Sequence, residues 1–244
     1  ECVSESIEIA RRVAAIRALE YLDAARVIGL GTGSTVEVFL KLAYDKLIGK
    51  TLVASSIDTA IIAKSIGLTL ADPVVVDRVD LYVDSADEVD PLGRMVKGGG
   101  GAMTMEKILA FAADMRVFIV DELKVVPKVP HKKPIPVEVV PQAISIVKQK
   151  LEREGFECHI RVSQGKRSPV ITDLGGAVLD VFPPKDWGIE NVAQFLDSLP
   201  GVIEHGVFVG LVDVLLIGRK DGEVEVVTYK GTCIKPQSLR TRQP

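Results

Sequence analysis

The chain has 244 residues, of which 47% are hydrophobic and 26% charged, with a formal net charge of −3. This composition excludes a disordered or fibrous chain and is ample for a buried core, in one large α/β domain or two smaller ones. No run of basic residues marks a nucleic-acid footprint, and no stretch of 18 apolar residues marks a membrane span.

Apolar periodicity predicts a helix over residues 4–23, with Ser4 as N-cap and Ile9, Val13, Ile16 and Leu19 on its buried side. A short strand over 26–30 runs into the turn Gly31-Thr32-Gly33-Ser34-Thr35, and a helix follows to Leu47, closed by Gly49. Next come a strand over 51–56, a helix over 59–66 ended by Gly67, a strand over 80–84, a helix over 104–113 and a strand over 116–120. Alternation of apolar strands with helices predicts a parallel, doubly wound sheet. Pro127, Pro130, Pro134, Pro136 and Pro141 then crowd together and mark a boundary. Beyond it are a strand over 135–139, a helix over 142–154, strands near 157–162, 170–173 and 177–182, and a helix over 189–199. The β-α-β-β-α-β order suggests a small ferredoxin-like α+β unit. Strands over 213–217 and 224–228 are expected to rejoin the first sheet, and the polar tail 235–244 is expected to be mobile.

Cys2, Cys158 and Cys233 lie far apart with no CxxC spacing, so a reduced, cytoplasmic setting is expected. Asparagine occurs once, at Asn191, and glutamine six times; scarce thermolabile amides point to a thermophile. No signal peptide is expected ahead of the first helix, and the start at Glu1 rather than Met points to a missing N-terminus.

Four constellations carry chemistry. The turn Gly31–Thr35 joins a strand to a helix, where free N–H groups and hydroxyls suit a phosphate or small sugar. It lacks the GxxxxGK[ST] of a Walker A loop, and Val36 stands where a dinucleotide fingerprint needs Gly or Ala. Asp84 and Asp87 follow a strand, at the edge where open α/β sheets bind ligands, whereas Glu88 reads as a solvated bystander. Lys97 leads Gly98-Gly99-Gly100-Gly101, offering a cation for a developing oxyanion and a backbone that can approach a ligand. Glu106, near an expected N-cap at Thr104, reads alone as a helix-dipole partner; beside Asp84 and Lys97 it reads as a general base. His131, His159 and His205 form no metal or triad spacing, and Trp187 reads as packing.

On these residues the chain resembles the type A ribose-5-phosphate isomerase family. The matching segments are Gly31–Thr35, Tyr82-Val83-Asp84-Ser85-Ala86-Asp87-Glu88, Lys97 through Lys107, Pro136-Val137-Glu138-Val139 and Leu199-Pro200-Gly201-Val202. The resemblance implies a Rossmann-like catalytic domain, residues 1–130 and 206–244, interrupted by a small lid domain, residues 131–205, in a homodimer or homotetramer. It implies interconversion of D-ribose 5-phosphate and D-ribulose 5-phosphate through a cis-enediolate in the pentose phosphate pathway, with no metal or organic cofactor and no nucleic-acid or membrane partner. It assigns Glu106 as base, Asp84 and Asp87 to the sugar hydroxyls and ring opening, and Lys97 to the enediolate oxygen. It assigns Thr32, Gly33, Ser34, Thr35, Gly98, Gly99, Gly100, Lys124 and Arg11 to substrate binding. Ser85 stands where the family has Gly, Gly101 where Ala is common, Arg11 where a lysine is common, and 164–169 is longer than in bacterial members. Two rivals remain: a related sugar-phosphate enzyme such as a glucosamine-6-phosphate deaminase, expected to carry a histidine near the acids, and a sugar-phosphate sensor, expected to carry a DNA-binding helix-turn-helix.

Overall fold

The structure, a computed structural model, describes residues 2–165 and 167–229. Cys233 and the tail 235–244 lie outside the described residues.

Its main sheet holds six strands: β1 (Val27–Leu30), β2 (Thr51–Ala54), β3 (Val79–Asp84), β6 (Ala113–Asp121), β12 (Val214–Gly218) and β13 (Val224–Thr228). Their order is β2-β1-β3-β6-β12-β13, parallel throughout except for the antiparallel edge strand β13. Helix α1 (Cys2–Ala18) leads into β1, and the crossovers run through α2 (Ser34–Leu47) from β1 to β2, α3 (Ile57–Ser65) from β2 to β3 and α4 (Met103–Ala112) from β3 to β6. Winding runs outward from β1 to β2 and then returns past β1 to β3, so the sheet reverses direction between β1 and β3. Doubly wound sheets open a crevice at the carboxyl ends of the strands flanking such a point.

Side chains alternate between two cores, as a period of two requires. Ile28, Leu30, Leu81, Val83, Val117 and Ile119 pack on one face with α1 and α2. Tyr82, Phe118 and Val120 pack on the other with Leu109 and Ala110 of α4. Asp84 shares its parity with Tyr82 and so faces α4.

The second sheet is β10-β7-β9-β8, built from β7 (Ile135–Val139), β8 (Glu157–Ile160), β9 (Ala177–Phe182) and β10 (Val202–His205), with every neighbouring pair antiparallel. With α5 (Ile144–Arg153) and α6 (Ile189–Asp197) it completes the β-α-β-β-α-β order over a core of its own. Trp187 belongs to that core, edge-on to Phe156 at 5.4 Å and to Phe195 at 5.3 Å. A third, small sheet joins the two: β4 (Glu88–Val89) and β5 (Met95–Val96) form a hairpin, and β11 (Val207–Phe208) pairs with β5.

Several expectations are corrected. Helix α1 begins at Cys2, ahead of Ser4, and ends at Ala18 in a 3-10 turn. Its buried side is Ala10, Ala14, Ala15 and Ala18, whereas Ile9 and Ile16 are exposed. The packing is too close for branched side chains: a Cβ added at Gly218 would lie 1.8 Å from the Ala10 carbonyl oxygen. Residues 170–173 make only isolated bridges, so the fourth strand of the second sheet is β10, which the periodicity did not resolve. The helix over 142–154 is a 3-10 turn followed by α5 from Ile144.

Candidate active site

The crevice at the sheet's turning point is a cavity of about 140 Å³. Thr32, Gly33, Ser34, Thr35, Ser85, Asp87, Lys97, Gly98, Gly99, Gly100, Glu106 and Lys124 line it. Every expected site residue except Asp84 and Arg11 is among the lining residues, and Asp84 lies directly behind Lys97.

The phosphate-type cradle is held from below. Gly33 is the N-cap of α2 at φ 111°, and no side chain caps that helix, which leaves its first N–H groups for an anion. Thr32 Oγ1 sits 2.9 Å from Ser55 Oγ and 2.8 Å from Ser56 Oγ, while Thr59 Oγ1 donates to the Gly31 carbonyl at 2.7 Å. Ser55 and Ser56 were read as strand; they instead leave β2 to form this hydroxyl cluster, and Ser56 caps α3.

Asp84 is fully buried. Its Oδ1 accepts the Ser85 N–H at 2.7 Å and the Thr32 N–H at 3.3 Å, and its Oδ2 accepts the Tyr82 hydroxyl at 2.5 Å. Lys97 Nζ lies 2.6 Å from the same Oδ2, 3.4 Å from Glu106 Oε2, and donates to the Ser85 carbonyl. The rings of Phe118 and Phe208 flank the ammonium at 5.6 and 5.5 Å. Gly31 is required by this arrangement, since a Cβ there would stand 1.9 Å from the Asp84 carboxyl.

Glu106 is the fourth residue of α4 and only 4% exposed, so it is no surface dipole partner. The N-cap is Ala102 rather than Thr104, whose hydroxyl instead binds the buried Glu138 carboxylate. Burial raises the Glu106 pKa to about 8; Lys97 opposes the rise, and Asp84 and Asp87 add to it. Burial alone would lower Lys97, but Asp84 and Glu106 carry it above its ordinary value. One cation among three carboxylates leaves surplus negative charge, and Glu106 takes up the proton that relieves it.

Lys124 closes the far side from a 3-10 turn after β6, capped by Asp121, whose carboxylate accepts the Leu123 N–H at 3.1 Å. Arg11 is not in the cavity lining; its Nε lies 3.5 Å from Asp121 Oδ2, so it braces the turn that carries Lys124. Glu88 is not solvated. It is 3% exposed and accepts the backbone N–H groups of His131, Lys132 and Lys133 at 2.6–2.9 Å, fastening the chain as it leaves for the second sheet. Ser85 needs no glycine, because no described non-glycine residue has positive φ; Gly101, at φ 77°, does use its freedom.

Among the described residues one group of potential metal ligands converges, Asp197, Glu204 and His205. Lys107 already occupies it, with Nζ 2.5 Å from Glu204 and 3.4 Å from His205 Nδ1, and burial with Lys107 pushes His205 down to about 3.

The family model described as ribose 5-phosphate isomerase A (phosphoriboisomerase A) matches residues 51–222. The chain belongs to this family. The chain is 38% identical over 223 residues to the ribose-5-phosphate isomerase A of Pyrococcus abyssi, covering 89% of this chain and 97% of that one. It is 39% identical over 211 residues to that of Aeropyrum pernix, covering 85% and 89%. A D-ribose-5-phosphate isomerase solved in complex with phospho-erythronic acid superposes with a TM-score of 0.86 at 35% identity, covering 91% of this chain and 99% of that one. The ribose 5-phosphate isomerase A of Methanocaldococcus jannaschii gives 0.83 at 35% identity with the same coverage.

Site residues missed from the sequence of this family member are Tyr82, Phe118, Phe208, Ser55, Ser56 and Arg161, whose Nη1 donates to the carbonyl of the cavity-lining Gly98 at 3.0 Å. Tyr82 was legible in principle, two residues before Asp84 on one strand and so on the same face. Phe208 and Arg161 come from distant segments and left no local signal.

Proposed function

We propose that the cavity carries the family's reaction, the interconversion of D-ribose 5-phosphate and D-ribulose 5-phosphate in the pentose phosphate pathway. One observation carries the reading: a buried lysine bridges Asp84 at 2.6 Å and Glu106 at 3.4 Å, and Glu106 has a pKa raised to about 8. Abstraction of a proton beside a carbonyl is difficult for an ordinary carboxylate, and a pKa near the working pH improves the driving force.

In the open-chain sugar, Glu106 takes the C2 proton and the electron pair moves into a C1–C2 double bond, giving a cis-enediolate. Glu106 then returns the proton to C1, while a hydroxyl proton leaves O2 and one is gained at O1. The Lys97 ammonium stabilises the negative oxygen, and its burial makes that interaction stronger than in water. Asp87, on the cavity wall, contacts the hydroxyls and assists ring opening, whereas Asp84, expected to share that role, is buried behind the wall and acts through Lys97, which it holds at 2.6 Å. The phosphate rests on Thr32–Thr35 and the start of α2 with Lys124 opposite, remote from the reacting carbons. Gly98, Gly99 and Gly100 add backbone contacts, and Arg11 acts through Asp121.

The 131–205 segment serves as a lid unit on the catalytic unit 1–130 and 206–244. Exposed Phe111 on α4 and Ile203 on β10 offer apolar surface for a second copy, in a homodimer or homotetramer. Heat adaptation is supported by the scarce amides and by the thermophilic sources of relatives, and a cytoplasmic setting by the dispersed cysteines without CxxC spacing. Among the described residues no helix is long and apolar enough to cross a membrane.

The test is ketose formation from ribose 5-phosphate in excess EDTA, with kcat/KM rising with pH on a limb near 8. Glu106→Gln should abolish turnover while ribose 5-phosphate still binds. Wild-type turnover in that variant refutes the base assignment, and a requirement for added metal refutes the metal-free route.

A further inference from the structure

Four consecutive glycines hold their peptide planes weakly, because each can rotate through conformations closed to other residues; the loop's one internal tie among the described hydrogen bonds is the Gly101 N–H donating to the Gly98 carbonyl at 2.9 Å. Arg161, just past β8, adds a second restraint from the second sheet. Asp180 on β9 grips its guanidinium twice, at Nε (2.8 Å) and Nη2 (2.6 Å). The remaining nitrogen, Nη1, donates to two successive carbonyls of the loop, Gly98 O at 3.0 Å and Gly99 O at 3.1 Å.

Both peptide units are trans, the described cis bond being Val129-Pro130. In a trans peptide the N–H points opposite to the C=O. Catching the two carbonyls on one side therefore turns the N–H groups of Gly99 and Gly100 to the other. The Gly99 N–H donates to Asp87 Oδ2 at 2.8 Å. The Gly100 N–H has no partner among the described hydrogen bonds, and Gly100 lines the cavity.

We propose that Arg161 is a positioning residue for the isomerisation: it locks the glycine-loop peptides so that Asp87 is held by Gly99 and the Gly100 N–H is presented to a substrate oxygen. The proposal rests on reading the cavity as the isomerase site. A lysine would not substitute, because a single ammonium cannot serve Asp180 in a fork and two carbonyls beyond it.

The experiment compares wild type, Arg161→Ala and Arg161→Lys by steady-state kinetics with ribose 5-phosphate, by hydrogen exchange over residues 97–102, and by thermal melting. Expected for Arg161→Ala is a fall in kcat of about 10- to 100-fold, in line with the cost of sub-ångström misplacement. KM should change less than about threefold, with faster exchange confined to the loop and partial recovery in millimolar guanidinium. Arg161→Lys should show the same loss without the guanidinium response, and it carries the test if the alanine variant does not fold. Unchanged kcat with unchanged loop exchange in a folded variant overturns the proposal. So does a uniform loosening of the second sheet with kcat preserved, which is the signature of a purely structural arginine. An inactive wild type would refute the isomerase reading alone, since loop exchange still reports whether Arg161 locks the peptides.

Discussion

Gly31→Ala tests the close approach of β1 to Asp84. The added Cβ would lie 1.9 Å from both Cγ and Oδ1 of Asp84 and 2.5 Å from its Cβ, against 3.4 Å or more for ordinary contact, a shortfall of about 1.5 Å. The backbone cannot yield easily, because Gly31 N–H donates to the Val83 carbonyl at 2.8 Å. The carboxylate must move, and it has no solvent to move into. A shift of that size separates it from Lys97 at 2.6 Å and from the Tyr82 hydroxyl at 2.5 Å. Breaking one partner out of a buried charge pair costs about 3–5 kcal/mol, and misplacing a catalytic group by about 1 Å costs on the order of 100-fold in rate. The variant should therefore lose at least about 100-fold in kcat and about 3 kcal/mol in urea-unfolding free energy. Gly188→Ala is the control: its Cβ would meet Asn191 Nδ2 at 3.8 Å and Glu190 Oε2 at 3.9 Å, both ordinary contacts, and an alanine at that helix N-cap in place of glycine should cost under about 1 kcal/mol with activity intact. A folded Gly31→Ala protein with turnover within about threefold of wild type would refute the assignment of Asp84 and Lys97 as a rigid catalytic pair.

Glu106→Gln should alter stability in a pH-dependent way. The folded-state pKa of about 8 exceeds the ordinary 4.5, so between those values the folded protein retains a proton that the unfolded chain has lost. Glu106 thus becomes progressively destabilising as pH rises through that window, reaching its full penalty above about 8. The glutamine variant should match wild type near pH 4 and exceed it increasingly towards pH 9 in denaturant titrations; a constant difference across the range would contradict the raised pKa. Tyr82→Phe removes a buried hydroxyl from a carboxylate, so unfolding free energy should fall by about 1.5–3 kcal/mol in urea titrations. No loss would mean that the Asp84 carboxylate is fully satisfied without it.

The doubly wound sheet was legible because its strands are short apolar runs separated by helices with clear stops at Gly49 and Gly67. The charged cluster at the cavity was legible because Asp84, Asp87, Lys97 and Glu106 fall within one span of 23 residues. What escaped notice was set by tertiary contacts. The two-residue strands β4, β5 and β11 are too short for any period to register. The α1 face was misread because apolarity favours Ile9 and Ile16, whereas a helix pressed against Gly218 needs alanines. Glu88 looked solvated because its partners, three backbone N–H groups at 131–133, lie more than 40 residues away.

The chain passes twice between the two larger sheets, and both passages are fastened to the hairpin that carries Lys97. On the way out, Glu88 holds residues 131–133, and the Val126 N–H donates to Val89 at 2.9 Å. On the way back, Lys97 N–H donates to Gly206 O at 2.8 Å, and Gly206 N–H to Pro136 O at 2.7 Å. The smaller unit therefore cannot swing as a door on a slack hinge. Any torque on it is delivered to the backbone of Lys97, so opening the cleft and turning the Lys97 side chain away from Asp84 and Glu106 are a single mechanical event.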